Sequence, residues 1–189
     1  MLNRTLSIST FLAALLTTAS VGLIACDLQQ AFIDDLRDGL VDANVDLASA
    51  LEQAQAHVPN GTIIDAEFEY EHQRLQYKFE IWSEGRELRL ELAADDGRVL
   101  KNRAESVDAD DAAELSAQAE IVETASLDFI DAIMIAEDAT GGAAFEVEAD
   151  DGVFEVEVLV DDVIRELDID PDTGAITKNQ RSDDYGDDD

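Results

Sequence analysis

The stretch that decides the fold is Phe154–Ile176, which reads FEVEVLVDDVIRELDIDPDTGAI. Apolar side chains alternate in it with acidic ones, which is the pattern of antiparallel β-strands that bury one face. The inward positions of two successive strands are Phe154, Val156, Val158, Val160, Leu167 and Ile169. Asp172-Thr173-Gly174 predicts a turn, because glycine tolerates the positive φ that tight turns require. A short last strand then begins at Ala175 and Ile176.

The residues before this stretch predict a helix and one more strand. Ser126 is placed to cap the helix, and Thr140-Gly141-Gly142 ends it. The apolar residues of the helix are Leu127, Ile130, Ile133, Met134 and Ala136. Phe145 and Val147 then alternate with acids, and Asp150-Asp151-Gly152 forms a hairpin turn. The predicted unit is therefore one helix followed by three to four antiparallel strands.

The same order of elements occurs about 77 residues earlier in the chain. A helical stretch at about 46–57 ends at Pro59-Asn60-Gly61, and alternating strands follow it. At an offset of 77 the matched pairs are Phe68–Phe145, Tyr77–Phe154, Ile81–Val158, Leu90–Leu167 and Gly97–Gly174. The helices and their stops fit better at an offset of about 80, which implies a small length change upstream of the strands. The shared register favours an internal duplication over two unrelated α+β stretches.

These patterns predict an α+β chain of two repeated units, each a helix packed on a three- to four-stranded antiparallel sheet. The predicted divisions are a signal peptide at 1–25, a tether and amphipathic helix at 26–45, repeat one at 46–103, a linker helix at 104–125, repeat two at 126–179 and an acidic disordered tail at 180–189. A unit of about 55 residues has a marginal core on its own. We therefore expect the repeats to pack on each other or to form a homodimer.

The repeated pattern resembles the PepSY domain. Its clearest match is Leu167–Ile176 (LDIDPDTGAI), and the first copy has Leu90–Val99 (LELAADDGRV), with Asp96 where the pattern has threonine. The resemblance implies an envelope or secreted location, often with tandem copies. It also implies binding or restraint of peptidases, or other regulatory work in the cell envelope, and no enzymatic activity.

The beginning of the chain resembles the leader of a bacterial lipoprotein. Arg4 precedes an apolar stretch without acids, and Leu23-Ile24-Ala25-Cys26 matches a lipobox. The resemblance implies that the Cys26 thiol carries a diacylglyceryl group, that the leader is cut before Cys26, and that the new amino terminus is acylated. Two or more acyl chains give stable anchoring where one chain does not. The alternatives are an ordinary signal peptide cut after Ala25, or a buried cysteine. We expect a location in the cell envelope, lipid-anchored on the periplasmic or outer side of a bacterial membrane.

The charge and the cysteine count exclude several classes of partner and site. The chain has 12 Lys and Arg against 45 Asp and Glu, a formal net charge of −33. Nucleic acids need basic patches, so we expect no nucleic-acid partner. A single cysteine excludes an intramolecular disulfide and a cysteine-rich zinc site.

The residues that could support catalysis are few. His57 follows a helix and His72 lies in a predicted turn, and neither is near a nucleophile motif. Metal-peptidase, phosphate-loop and dinucleotide motifs are absent from the sequence. We therefore expect no enzymatic activity and no cofactor, apart from weak Ca²⁺ association.

Two large apolar residues occupy equivalent outward positions in the repeats. Trp82 follows Lys78 and Glu80, and Leu159 follows Glu155 and Glu157. Simple alternation predicts that Trp82 and Leu159 are exposed, where they could anchor a partner protein. The alternative is that the linker helix or the other repeat covers them.

A calcium site is the main rival hypothesis. Asp168, Asp170 and Asp172 lie at alternate positions before Gly174, and carboxylate oxygens suit Ca²⁺. Counted from Asp168, however, position 6 is Thr173 and position 12 is Asn179, so the EF-hand pattern fails. The leading hypothesis is a non-enzymatic envelope lipoprotein that binds or regulates a protein or peptide partner, such as an envelope peptidase. The alternative is an acidic envelope protein that binds or buffers Ca²⁺.

Overall fold

The computed structural model describes residues 22–71 and 74–182. The first half contains α1 (Gly22–Asp42), α2 (Leu47–His57), β1 (Thr62–Glu71), β2 (Arg74–Ser83), β3 (Arg86–Ala93) and β4 (Val99–Glu105). The second half contains α3 (Ala109–Thr124), α4 (Phe129–Thr140), β5 (Ala143–Asp150), β6 (Val153–Val160), β7 (Val163–Ile169) and β8 (Ile176–Arg181). The α+β class and the two helix-plus-strands units are confirmed.

The eight strands form one antiparallel sheet in the order β4-β3-β2-β1-β5-β6-β7-β8. Each copy contributes a four-stranded meander, and the two meanders meet where β1 pairs with β5. The copies are therefore not two separate cores joined by a linker. They share one continuous sheet, which removes the exposed edge that β1 and β5 would each present alone.

The β1–β5 pairing, which we call the seam, is short and symmetric. Its register pairs Asp65 with Glu148, Ala66 with Val147 and Glu67 with Glu146. β-Bulges lie at Ile63/Asp65 in β1 and Ala144/Glu146 in β5, an equivalent place in each copy. Each residue of the seam thus pairs close to its own repeat counterpart, and a local two-fold axis passes through the Ala66–Val147 pair.

The register of the repeat corrects one matched pair. Phe68 pairs with Tyr77, whereas Phe154, the counterpart of Tyr77, pairs with Ala149. The counterpart of Phe68 is therefore Ala149, and the predicted match with Phe145 is wrong. The β1–β2 hairpin is four residues longer than the β5–β6 hairpin, and residue type alone does not reveal a longer hairpin.

The two core helices are equivalent and are capped in the same way. Asp46 caps α2 by accepting a 2.7 Å hydrogen bond from the Ser49 N–H, and Asp128 caps α4 in a capping box with Asp131. The predicted cap at Ser126 is therefore wrong, because the Ser126 hydroxyl instead donates to Asp172. Each helix buries four residues at matching positions, which are Leu47, Ala50, Leu51 and Ala54 in α2 and Phe129, Ala132, Ile133 and Ala136 in α4.

The main core lies between these helices and one face of the sheet, which we call the apolar face. Its largest fully buried side chains include Tyr77, Phe79, Ile81, Leu90, Leu92, Phe154, Leu167 and Ile169. These are the positions that the alternation of the strands predicts as inward. The opposite face of the sheet, here called the outer face, carries Asp65, Glu67, Glu146, Glu157 and their neighbours.

The predicted tether is part of the folded core. Ile33 and Leu36 of α1 are buried in the same cluster as the sheet residues. Gly39 allows this close packing, because a Cβ there would lie 2.8 Å from Leu75 Cδ2. The Arg37 guanidinium donates to Asp162 of copy two at 2.5 Å. The helix therefore contacts both copies, and its buried residues begin at Ile33 among the side chains that the structure describes.

The linker helix α3 contacts β1, β2, β3 and β5. Thr62, which alternates with Ile63 onto the outer face, donates to Glu123 of α3 at 2.7 Å. Only Ala119 of this helix is buried, and Ile121 and Val122 near its end pack half-buried against the core.

Parts of three predictions fall outside the described residues: the leader at 1–21, the turn at His72 and the tail from 183 onward. β8 extends to Arg181 and Ser182 is buried, so the structured part of copy two passes the predicted start of the tail at 180. α1 includes Cys26 within its backbone. None of the helices in the described residues is long and apolar enough to span a membrane.

Candidate functional site

A cleft of about 470 Å³ opens where the two copies meet. Four elements form it: α2, the start of β1, the end of α3 and the start of α4. Its apolar lining comes from Leu51, Ile63, Val122, Phe129 and Ile130. Both copies therefore contribute to the floor, and the cleft would not exist in a single copy.

The rim of the cleft is acidic. Glu52 and Asp128 lie on its lining and are exposed, and Glu123 is exposed close by, bonded to Thr62 of the lining. Asp128 Oδ1 accepts the capping hydrogen bond from Asp131 N–H at 2.9 Å. No basic side chain lines the cleft in the described part of the chain. Apolar depth with a negative rim suits an apolar side chain that has a lysine or arginine beside it.

Local packing fixes the wall of the cleft. A Cβ on Gly61 would lie 2.5 Å from Ile81 Cγ2. Any larger residue at this position, just before β1, would therefore clash with Ile81. The Gln55 side-chain amide donates to the carbonyls of Val58 and Gly61 at 3.1 and 3.3 Å. The loop between α2 and β1 is thereby held against the helix, and the cleft is preformed.

The structure buries one of the two predicted anchors and half-buries the other. Leu159 is only 7% exposed and pairs with Ala143 and with Ile164, which is itself buried. Trp82 is half-buried and pairs with Thr62, which bonds to α3. The prediction of exposure is therefore wrong for Leu159. Alternation assigns a face of the sheet, and it does not show whether that face meets solvent.

The predicted calcium candidates do not converge. Asp168 lies on the outer face of β7, while Asp170 Oδ1 accepts hydrogen bonds from the N–H groups of Asp172 and Thr173. Hydrogen bonds from Thr173 lower the pKa of Asp170. Asp172 Oδ1 accepts from the Ser126 hydroxyl at 3.2 Å. Asp170 and Asp172 thus serve their own turn and the adjoining loop.

Asp168 instead joins Glu155 and Glu166, whose carboxylate oxygens all lie within 4.8 Å of one another. Sequence reasoning missed Glu155 and Glu166, although hairpin register places Glu155 opposite Asp168. Lys178 pairs with Glu166 and lies 3.8 Å from Asp168 Oδ1. Burial, and then a hydrogen bond with Glu166, raise the pKa of Glu155 to about 9. A lysine and a shared proton therefore compensate part of the negative charge of this trio.

The described residues bring together no arrangement typical of nucleophilic catalysis. The buried Ser182 hydroxyl donates to Glu157 at 2.9 Å, but His57, the only histidine within residues 22–71 and 74–182, is exposed at the end of α2. A serine–histidine–acid triad needs a histidine between the other two groups.

The model of the PepSY family, described as the peptidase propeptide and YPEB domain, matches residues 45–103 and 127–179. These two ranges cover more than half of the chain. The chain belongs to the PepSY family. The two PepSY matches each contain one core helix and one four-stranded meander, so the family repeat and the structural repeat coincide.

A solved structure has the same fold. It is a crystal structure from Clostridium difficile 630, described as a "putative lipoprotein", with a TM-score of 0.52 and 17% sequence identity. The match covers 75% of this PepSY chain and 95% of the other chain. No curated protein matches the chain.

Proposed function

We propose that this protein is a non-enzymatic lipoprotein of the bacterial envelope, in which two PepSY modules bind and regulate an envelope peptidase. The observation that carries the proposal is the preformed cleft between the modules, with its apolar floor and acidic rim. The family, whose description includes peptidase propeptides, supports the peptidase as the class of partner.

The chemistry of the cleft defines the segment that it would bind. Leu51, Ile63 and Phe129 offer a buried apolar floor, and each buried methylene of an inserted side chain contributes about 0.8 kcal/mol. Glu52 and Asp128 would face a lysine or arginine beside that side chain. The net charge of −33 adds long-range attraction for a basic surface and speeds its encounter. The partner is therefore a protein with an exposed apolar–basic segment.

The proposed anchor is a lipid on Cys26. The residues Leu23-Ile24-Ala25-Cys26 support it, as does the description of the structural neighbour. α1 is docked from Ile33 onward, and the seven-residue rise from Cys26 to Ile33 is about 10 Å in a helix. A lipid at Cys26 would hold the modules close to the membrane surface. Mass spectrometry of the membrane-extracted protein should find a chain that begins at lipidated Cys26, and Cys26→Ser should release the protein from the membrane.

A charge-reversal pair tests the binding proposal. Glu52→Lys reverses a charge on the rim, whereas the matched control Glu120→Lys reverses an exposed charge on α3 that does not line the cleft. The purified peptidases of the source cell's envelope are titrated by calorimetry with each protein, and peptidase activity is followed in parallel. We expect one peptidase to bind and to change activity, with at least about tenfold weaker binding for Glu52→Lys alone. Equal affinities for the two variants, or binding without an effect on activity, contradict the proposal.

A second candidate function rests on the carboxylate trio. Glu155, Glu166 and Asp168 present oxygens at a spacing that one Ca²⁺ could share, if the ion displaced Lys178 and the proton on Glu155. Calorimetry with Ca²⁺ at physiological ionic strength tests it. Saturable one-to-one heat that is lost in Asp168→Asn and kept in Asp170→Asn supports a specific site. Heat that does not saturate indicates diffuse association with the acidic surface.

A further inference from the structure

The seam places like charges opposite each other at the centre of the sheet. Two of its three residue pairs, Asp65–Glu148 and Glu67–Glu146, are pairs of acids on the outer face. Directly opposite side chains in an antiparallel pair have Cβ atoms about 5 Å apart, and like charges at that distance are destabilising. The seam spans only residues 65–67 and 146–148, so few backbone hydrogen bonds offset this repulsion.

Two of these acids, and one carboxylate oxygen of a third, are also withdrawn from water. Glu67 is 4% exposed and Glu146 is 5% exposed, and the oxygen Oδ1 of Asp65 is buried with no hydrogen-bond partner in the described part of the chain. Burial favours the neutral form of a carboxyl group, because the charged form loses its hydration. Repulsion and burial therefore act in the same direction at the seam.

The surrounding elements add more acids than bases. The charged side chains of the elements around the seam are Glu69 on β1, Lys78 and Glu80 on β2, Arg89 on β3, Glu155 and Glu157 on β6, and Glu123 on α3 beside Thr62. Lys78 lies directly opposite Glu67 in the β1–β2 register and also pairs with Glu69. Arg89 pairs with Glu80 and Glu87. Both cations lie on the side of copy one.

The pKa values of Asp65 and Glu146 follow from this environment. Burial, and then the nearby Glu148, Glu67 and Glu80, raise the pKa of Asp65 well above its usual range, while Arg89 opposes the shift. Burial, and then Glu67 and Glu157, raise the pKa of Glu146 well above its usual range. Protons are therefore retained at the seam at a pH where exposed carboxyl groups have lost theirs.

We propose that the seam is a proton-dependent joint between the two PepSY modules, closed while its opposed acids share protons and loosened when they ionise. The joint needs no partner protein, because Asp65, Glu67, Glu146 and Glu148 all belong to this chain. Opening it would separate the halves of the cleft floor, since β1 and α2 belong to copy one and α4 to copy two.

The direction of the pH effect follows from the raised pKa values. Such groups contribute stability that is fully present below the unfolded-state pKa, near 4, and that is lost as the pH rises through the folded-state pKa. The seam should therefore be most protected in mild acid and should open as the pH increases. Most proteins with salt-bridged acids behave in the opposite way over the acidic part of this range.

Hydrogen exchange of the mature chain tests the proposal residue by residue. Amide protection factors, corrected for the intrinsic pH dependence of exchange, are compared at about pH 5 and about pH 8.5. Protection at residues 65–67 and 146–148 should fall by at least about tenfold more than protection at the β2–β3 pairs Phe79–Leu90 and Ile81–Leu88. An equal fall at both places, or none, overturns the proposal.

Neutral variants provide the matched comparison. In Glu67→Gln with Glu146→Gln, one opposed pair keeps its shape and loses its charge, while Asp65–Glu148 is unchanged. The seam should therefore keep more of its protection at about pH 8.5 than the wild type does. Glu114→Gln with Glu120→Gln removes the same charge from exposed positions of α3 and should leave the loss of protection unchanged. If the seam variant does not fold, Glu67→Gln alone is measured, and it should retain part of the protection. A seam variant that opens with pH as the wild type does overturns the proposal.

Discussion

The repeat provides a matched experiment at Tyr77 and Phe154, which occupy equivalent positions on the second strand of each copy. Tyr77 is 1% exposed, and its hydroxyl donates to the Val45 carbonyl at 2.6 Å. Phe154 is fully buried and packs edge-on against Phe129, with ring centroids 5.0 Å apart. The far end of the ring therefore meets a hydrogen-bond acceptor in copy one and an aromatic ring in copy two.

Exchanging these two side chains should cost stability at both sites for different reasons. Tyr77→Phe removes one hydrogen bond and leaves the Val45 carbonyl unsatisfied, at about 1 kcal/mol. Because Val45 is only half-buried, water can recover part of this loss. Phe154→Tyr adds a hydroxyl among apolar groups, and burying it without a partner costs about 1–3 kcal/mol. We expect Phe154→Tyr to be the more destabilising change.

Urea unfolding followed by circular dichroism measures both effects. The slope of unfolding free energy against urea should be unchanged, while the midpoint falls in both variants. In thermal unfolding, about 1 kcal/mol corresponds to a decrease of about 2–4 °C in a chain of this size. If Tyr77→Phe leaves the midpoint unchanged, or Phe154→Tyr is as stable as the wild type, the assigned packing of these two sites is wrong.

Three further changes test the capping of α4, the ion pairs of Arg37 and the outer-face acid Glu155. Asp128→Ala should lower the unfolding free energy by about 1 kcal/mol in chemical denaturation, because it removes the capping box of α4, whereas Ser126→Ala should have a smaller effect. Arg37→Ala should lower it only slightly, since its ion pairs are solvent-exposed, and the loss should vanish in high salt. Glu155→Gln should make the unfolding free energy fall less between about pH 4.5 and 9. The raised pKa of Glu155 means that the stabilisation from its neutral form is lost over that window. A pH series of melting temperatures measures the difference between the variant and the wild type.

Most of the architecture within each copy could be predicted from local patterns. Alternation in Phe154–Val160 identified the apolar face, and Gly97 and Gly174 have the positive φ values, 70° and 71°, that their turns require. Local patterns could not reveal the extra length of the β1–β2 hairpin. Nor could they reveal that β1 pairs with β5, because acids opposite acids at the seam give no favourable pairing signal.

The candidate site was less accessible from the sequence. The cleft combines residues from four elements, such as Leu51 and Phe129, whose proximity depends on the relative position of the two copies. The amphipathic pattern of α1 predicts a helix, but it does not show the surface on which Ile33 and Leu36 pack. Lipidation of Cys26 and specific Ca²⁺ binding both stay predictions.

The central claim is that the two PepSY modules share one continuous sheet. Nuclear Overhauser effects in the isotope-labelled mature chain, recorded in mild acid, test it most directly. Cross-strand effects should connect Asp65 with Glu148, Ala66 with Val147 and Glu67 with Glu146 within one molecule. Two four-stranded meanders with normal internal effects, but none between β1 and β5, would contradict the account.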